Sequence, residues 1–350
     1  MPDIVQLRLN GRPVKPHKCV VSPLLGTRTV LTNSPWGFVA LWLKRERKDD
    51  ALFFWNQAQE FHKASEGMSL ESAPLLHYYC FMNATKALLV AKGLPFDPHH
   101  GVKANNLRTP GAKKSLSNEG IRIGSRGILP ALSSYMGELE LDKTHTMQEV
   151  LFNLPYVHRT YCLTYKNQQD LFIPLLNAEF VLDQATMQAY FRAELSADFA
   201  HARYIKRLPG NLIRDPQGSH SRVIRSLAFI TLGSKTLRTV EDRDKLVALS
   251  RTLRADVQYI NGAQTLWYAK SKVTGPKRLE RFPLTLTLAA MHRLSEICRY
   301  KPMELTSFLD GQKNWLLSEF IQLAPGQFID ELAAEITGHQ FLVPNVRTAT

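Results

Sequence analysis

The stretch from Ser72 to Gly101, SAPLLHYYCFMNATKALLVAKGLPFDPHHG, constrains the rest of the chain more than any other. Ser72, with Pro74 just inside, signals a helix start, and Gly93 followed by Pro95 signals its end. Between them apolar side chains fall on nearly every face: Leu75, Leu76, Tyr78, Tyr79, Phe81, Met82, Ala87, Leu88, Leu89 and Val90. A helix apolar all round must be enclosed on several sides, so a helical core is expected around it. Two polar residues interrupt its stripes. Asn83 shares one with Leu76, Tyr79, Cys80, Ala87 and Val90, and Lys86 shares another with Leu75, Tyr78, Met82 and Leu89. Polar groups in such places need partners.

The flanking chain reads mostly as helix. Residues 4–14 alternate apolar and polar around Asn10-Gly11, which predicts a short strand or hairpin. Ser34-Pro35 opens one helix, and a second runs from about Asp50 to Ser65. The short connection to the central helix favours antiparallel packing. The segment 94–127 is rich in Gly, Pro, Asn and Lys and reads as a long loop, of the kind that is functional or mobile. Met147–Leu154 reads as a short helix. Beyond Leu171 the pattern turns extended around Pro174. Asp183 is then expected to cap a helix through Met187, Phe191, Leu195 and Phe199. Residues 222–234 read as a strand and Glu241–Ile260 as a helix. Pro283 starts the last strong helix, which Pro302 is expected to end. Two weaker helices follow, at 305–323 and 328–336.

Composition narrows the class. With 44% hydrophobic and 21% charged residues, the chain is of ordinary globular type. No apolar run reaches membrane-spanning length, and the N-terminus lacks the apolar core of a signal peptide. Cys19, Cys80, Cys162 and Cys298 are far apart, which suits reduced thiols in the cytoplasm and not a zinc knuckle. The net charge of +13 is unevenly placed. Residues 200–282 carry 17 Lys/Arg against 6 Asp/Glu, residues 101–127 carry 6 against 1, and residues from 302 onward carry 2 against 6. A basic middle on an ordinary body points to a polyanion as partner.

Few side-chain patterns carry chemistry. His99-His100-Gly101 follows the central helix, but only Asp97 lies near as a further ligand, so a loop role or a phosphate contact fits better than a metal. His292, Glu296 and Arg299 lie at i, i+4 and i+7 on the last strong helix. They form either a solvated charged stripe or one wall of a cleft, with His292 as a candidate acid or base. The phosphate-loop, dinucleotide, nucleophile-elbow and zinc-protease motifs are absent. No metal or cofactor is expected.

The segments PLLHYYCFMNATKALLVAKG, HHG, LPYVHRTYCLTY and LSEICRYKPMEL resemble the YaaC-like proteins of bacteria, over roughly residues 34–336. The matching positions are Pro74, Leu75, Leu76, Tyr78, Tyr79, Asn83, Lys86, Ala87, Leu88, Leu89, His100, Gly101, Arg299, Tyr300 and Pro302. The central helix also resembles those of HEPN domains, helical bundles of RNA-targeting defence proteins. In catalytic members, an Arg followed four to six residues later by His cleaves RNA without metal, often across a dimer interface. Here only Arg214 and His220 have that spacing, in a Pro/Gly turn. Arg299 is followed by Pro302 and preceded by His292, the reverse order.

The expected fold is therefore mainly α: a HEPN-like helical bundle with a smaller α+β basic portion. The expected parts are residues 1–170, helical with a short N-terminal strand; 171–282, basic α+β; and 283–350, helices packing back on the bundle. The expected function is cytoplasmic nucleic-acid binding, RNA in particular, with a setting in antiviral defence. The alternatives are a HEPN-type endoribonuclease, with a homodimer as one form, and a scaffold for an acidic protein partner. Catalytic candidates are Arg299, His292 and His100. Binding candidates are Asn83, Lys86, His99, Tyr300, Lys270, Lys272, Lys277, Arg278 and Arg281. Lys86 and Arg299 are expected on facing helices.

Overall fold

The computed structural model describes residues 4–107, 115–166, 168–235, 237–273, 278–311 and 314–343. The chain divides into two compact units, one formed by residues 1–31, 170–273 and 338–350, the other by residues 32–169 and 274–337. Among the described residues helix makes up 44% and strand 20%, so the protein is a mixed α/β fold and not the mainly α protein expected. The strand content was hidden in several places, one of them the helix expected over Glu241–Ile260, which ends at Arg254 and gives way to strand Val257–Ile260. The segment 94–127, expected as loop, contains strands Val102–Asn106 and Glu119–Ile123. The helix expected after Asp183 is instead strand Gln188–Leu195.

The first unit is built on an antiparallel sheet. Its strands run in the spatial order Leu212–Arg214, Val223–Thr231, Gln188–Leu195, Phe172–Asp183, Leu266–Lys270 and Val257–Ile260. Ile4–Gln6 pairs with the far end of Phe172–Asp183, beyond the reach of Leu266–Lys270. Asp183 caps a turn and not a helix: its Oδ1 accepts from the backbone N–H groups of Ala185 and Thr186. Phe180, Phe191, Leu195 and Ile224 share one buried cluster with Leu246, Leu249 and Leu253 of helix Val240–Arg254. Asn10 and Gly11 both take the left-handed conformation, at φ 52° and 76°. That matches the turn expected of Asn-Gly between strands Arg8–Leu9 and Arg12–Pro13.

The second unit is organised around the central helix, Ala73–Ala91. Burial covers almost its whole circumference, as an all-round apolar surface requires. Helices Asp49–Ser65, Pro283–Tyr300 and Asn314–Thr337 pack against it. Tyr79 stacks on Phe61 at 5.4 Å between ring centroids, Phe81 on Phe328 at 4.2 Å, and Tyr78 meets the edge of His292 at 4.9 Å. Helix Pro283–Tyr300 is buried almost continuously to Ile297 and emerges only at Arg299 and Tyr300. Pro302 does close that helix, but it also opens another, Pro302–Leu309, where its missing N–H costs nothing. Of the two weak helices expected at the end, 305–323 is divided between Pro302–Leu309 and Asn314–Thr337, and 328–336 is the last part of Asn314–Thr337, which runs through Pro325.

A three-stranded antiparallel sheet completes this unit, with Glu119–Ile123 between Val102–Asn106 and Thr144–Thr146. Helix Ile128–Met136 follows its middle strand.

Candidate functional site

The loop after the central helix is held by its own backbone. Ile128 and Leu129, the first residues of helix Ile128–Met136, have N–H groups that need acceptors. They donate to the carbonyls of His99 and His100, at 2.9 and 3.2 Å. The Gly124 N–H donates to the Gly101 carbonyl at 2.8 Å. Gly101 is left-handed, at φ 72°, and a Cβ there would lie 2.8 Å from the Arg126 carbonyl oxygen and closer still to Pro130 Cδ. The pairing of His100 with Gly101 is thus a geometric requirement: the glycine lets the loop press on the helix start, and that contact fixes the histidine.

His100 faces an open cleft of about 980 Å³, lined also by His99, Lys103, Arg122, Arg126, Lys143, His292, Glu296, Arg299 and Tyr300. Two of its cations come from paired strands and a third stands just before the next strand. Lys103 lies directly opposite Arg122 in the register, and Arg122 lies opposite Thr144, next to Lys143. Like charges placed opposite one another in a sheet are unfavourable. Among the described residues, none of Lys103, Arg122, Arg126, Lys143 and Arg299 has a carboxylate within ion-pair distance. Arg299 lies 5.1 Å from the ring of Tyr300, which is 73% exposed. The cleft is therefore a concentration of unneutralised positive charge.

The His100 and His292 rings line the cleft, and Tyr78 lies behind them. The Tyr78 hydroxyl is hydrogen-bonded to His100 Nδ1, and the His100 and His292 ring centroids are 5.7 Å apart. Burial holds His100 below the ordinary imidazole range, with Arg299, Lys86 and His99 adding to it. His292 is pushed down to about 3, by burial first and then by His100, Arg299 and Arg293. Both rings are neutral at pH 7. Glu296 Oε2 lies 3.5 Å from His292 Nδ1 and 3.5 Å from Arg293 Nη1. Burial raises the Glu296 carboxyl, although Arg293 and Arg299 pull the other way. Burial also raises the Tyr78 phenol, so it keeps its proton.

Five of the catalytic and binding candidates meet here: His99, His100, His292, Arg299 and Tyr300. The stripe of His292, Glu296 and Arg299 is a cleft wall. Asn83 and Lys86 do not line it. Asn83 is buried and donates to the Tyr79 carbonyl at 2.9 Å, while Lys86 holds its ammonium 5.3 Å from the Phe54 ring. Lys86 and Arg299 do lie on helices that pack together.

The basic residues beyond 269 scatter. Lys270 is buried in the sheet unit, and Lys272 is exposed there. Arg278 pairs with Glu280, and Arg281 is buried with Glu138 at 3.0 Å. Lys277 lies outside the described residues. Lys103, Arg122, Arg126 and Lys143 had not been singled out, and Tyr78 only as an apolar and family-matching position of the central helix. The charge excess over 101–127 was the available signal for three of them, but composition does not show which side chains converge.

The family model described as YaaC-like Protein matches residues 28–336. No curated protein and no solved structure matches, so no match supports the HEPN likeness read from the central helix.

Proposed function

The chain belongs to the YaaC-like protein family, and from the cleft it carries we propose that it binds nucleic acid, single-stranded RNA in particular, through phosphate oxygens. The unpaired cations Lys103, Arg122, Lys143, Arg126 and Arg299, which line one cleft, support this reading. Unscreened cations at close quarters cost free energy when the cleft is empty, and polyanion phosphates relieve that cost while releasing counterions. The exposed Tyr300 ring beside Arg299 offers a stacking face for an unpaired base.

Fluorescence anisotropy with a labelled single-stranded oligoribonucleotide tests the proposal across a salt series. Affinity should fall steeply with salt, and Arg122→Glu should weaken it by about tenfold or more. Absence of binding at low salt, or binding indifferent to salt, would sink the reading; co-purification of an acidic protein in place of nucleic acid would favour a scaffold.

A second reading, metal-independent RNA cleavage, has one specific observation in its favour. Arg299, His100 and His292 share the cleft with Glu296, whose raised proton affinity suits it to proton transfer. Cleavage should persist in chelator and fall by about 10² or more in Arg299→Ala. Cleavage that survives Arg299→Ala unchanged belongs to a contaminant.

A further inference from the structure

The Tyr78–His100 pair decides what kind of group His100 offers to a ligand. An imidazole has two nitrogens, and in the neutral ring one donates while the other accepts. Which nitrogen does which follows from the hydrogens around Tyr78. Tyr78 is 2% exposed, at the contact between the central helix and helix Pro283–Tyr300. Among the described residues its hydroxyl has a single hydrogen-bond partner, His100 Nδ1. Its ring meets His292 edge-on, and Glu296 acts on the phenol only through space.

Suppose Nδ1 carried the proton and donated to the phenol oxygen. The phenol's own hydrogen would then be buried without an acceptor, which leaves its desolvation uncompensated. With the phenol donating and Nδ1 accepting, every hydrogen in the pair is used. The neutral ring then carries its proton on Nε2, the nitrogen that Tyr78 does not occupy.

We infer that Tyr78 is a positioning residue that fixes His100 as the Nε2–H tautomer, making it a neutral hydrogen-bond donor to an anionic oxygen in the cleft. This rests on the phosphate-binding reading for the ligand, though not for the tautomer. It deepens that reading by giving His100 the same task as Arg299: donating to the anion. It also sets the division of labour under the cleavage reading. A ring with Nδ1 engaged and Nε2 protonated has no free lone pair, so His100 is not the base. Among the cleft residues His292 and the carboxylate of Glu296 are left for that part.

The test is nitrogen-15 NMR of the histidine rings in the full chain, with His100 assigned by comparison with His100→Gln. Wild type should give the Nε2–H pattern for His100. Tyr78→Phe keeps the ring and loses only the hydroxyl; it should mix the tautomers and weaken pyrophosphate binding about three- to tenfold. Circular dichroism and the thermal midpoint establish that the variant folds, and His100→Gln, which retains a donor, should recover more pyrophosphate affinity than His100→Phe.

A proton on Nδ1 in wild type, or a tautomer unchanged in Tyr78→Phe, overturns the inference. Pyrophosphate that binds without moving the Nε2 resonance overturns the donor role. If neither pyrophosphate nor RNA binds while the Nε2–H pattern is present and depends on Tyr78, the phosphate reading fails and the tautomer assignment is supported.

Discussion

Gly101 shows how much a single backbone conformation carries. Its φ of 72° is one that a residue with a Cβ adopts reluctantly, and the space for a Cβ is already taken by Pro130 and the Arg126 carbonyl. Gly127 presses on it from the other side, at φ 120°, where a Cβ would lie 2.5 Å from Gly101 Cα. Gly101→Ala should therefore cost about 1–3 kcal/mol from strain alone and displace His100 from its bond with Tyr78. Urea unfolding reads the first effect and the His100 ring resonances read the second. A stable variant with an unmoved His100 would show that the loop tolerates the substitution by local adjustment.

His292 gives a prediction in pH. Its folded value lies near 3 against 6.5 for the free side chain, so between those limits the unfolded chain binds the proton and the native state does not. Stability therefore rises with pH in that window: it is fully present above about 6.5 and is lost as the pH falls toward 3. His77, held down to about 4 by burial, acts in the same direction. Glu296, with its raised affinity, opposes them just above the ordinary carboxylate range. Chemical denaturation at pH 7 and pH 5 should show the loss, and His292→Gln should reduce the slope by about 1.4 kcal/mol per pH unit below 6. An unchanged slope would mean that His292 is solvated or protonated in the native state.

At the scale of elements, helix Pro283–Tyr300 depends on a carboxylate from elsewhere in the chain. Its N-cap position is Phe282, which has no capping side chain. Glu138 serves instead: its Oε1 accepts from the Phe282 N–H at 2.7 Å and from the Thr285 hydroxyl at 2.6 Å, while its Oε2 meets Arg281 at 3.0 Å. Arg281 also donates to His145 Nε2, Ser133 Oγ and the Asp142 carbonyl. A negative group at a helix start is favourable in itself, and here it is also the counter-ion of a buried guanidinium. Glu138→Gln should cost about 3–5 kcal/mol because Arg281 is left charged and enclosed. The denaturation midpoint should shift without a change in slope; a loss under about 1 kcal/mol would imply that water reaches Arg281.

Elements differ in how far they could be read from sequence. The central helix and the helix from Pro283 were legible because apolar residues and proline boundaries agree. Strand Gln188–Leu195 was missed because Phe191 and Leu195 are four apart, a spacing that fits a helical face and one face of a strand equally. The discriminating residues are Ala189 and Ala193, which also point inward and complete a period of two. Strands Val102–Asn106 and Glu119–Ile123 were hidden by polar composition. Arg122 stands between buried Ile121 and Ile123, an alternation too short to be noticed, yet it carries a cation of the cleft. The His100 and Arg299 parts of the site were visible as motifs. Lys143 was not, since only the pairing with Thr144–Thr146 brings it there.

Over the whole molecule, counting charges along the chain and locating free charge give different answers. Residues 200–282 carry the largest excess, and a phosphate-contacting surface was expected from them. The fold divides that stretch between the two units and engages much of it. Arg207 donates to the carbonyls of Asp170 and Lys272, Arg254 is buried against Tyr259 and Trp267, and Lys270 and Arg281 are buried. The unpaired cations of the cleft come from 101–143 and from Arg299. Two double variants separate these sources at equal total charge: Arg122→Glu with Lys143→Glu in the cleft, and Lys206→Glu with Lys272→Glu in the sheet unit. Both lower the net charge by the same amount, so any general field effect is shared. If phosphates sit in the cleft, the first pair should reduce the salt slope for single-stranded RNA by about 1.4 and weaken binding at least tenfold, while the second leaves the slope near that of the parent. Equal losses from the two pairs would mean that RNA is held by diffuse charge, and the cleft would lose its claim as the binding site.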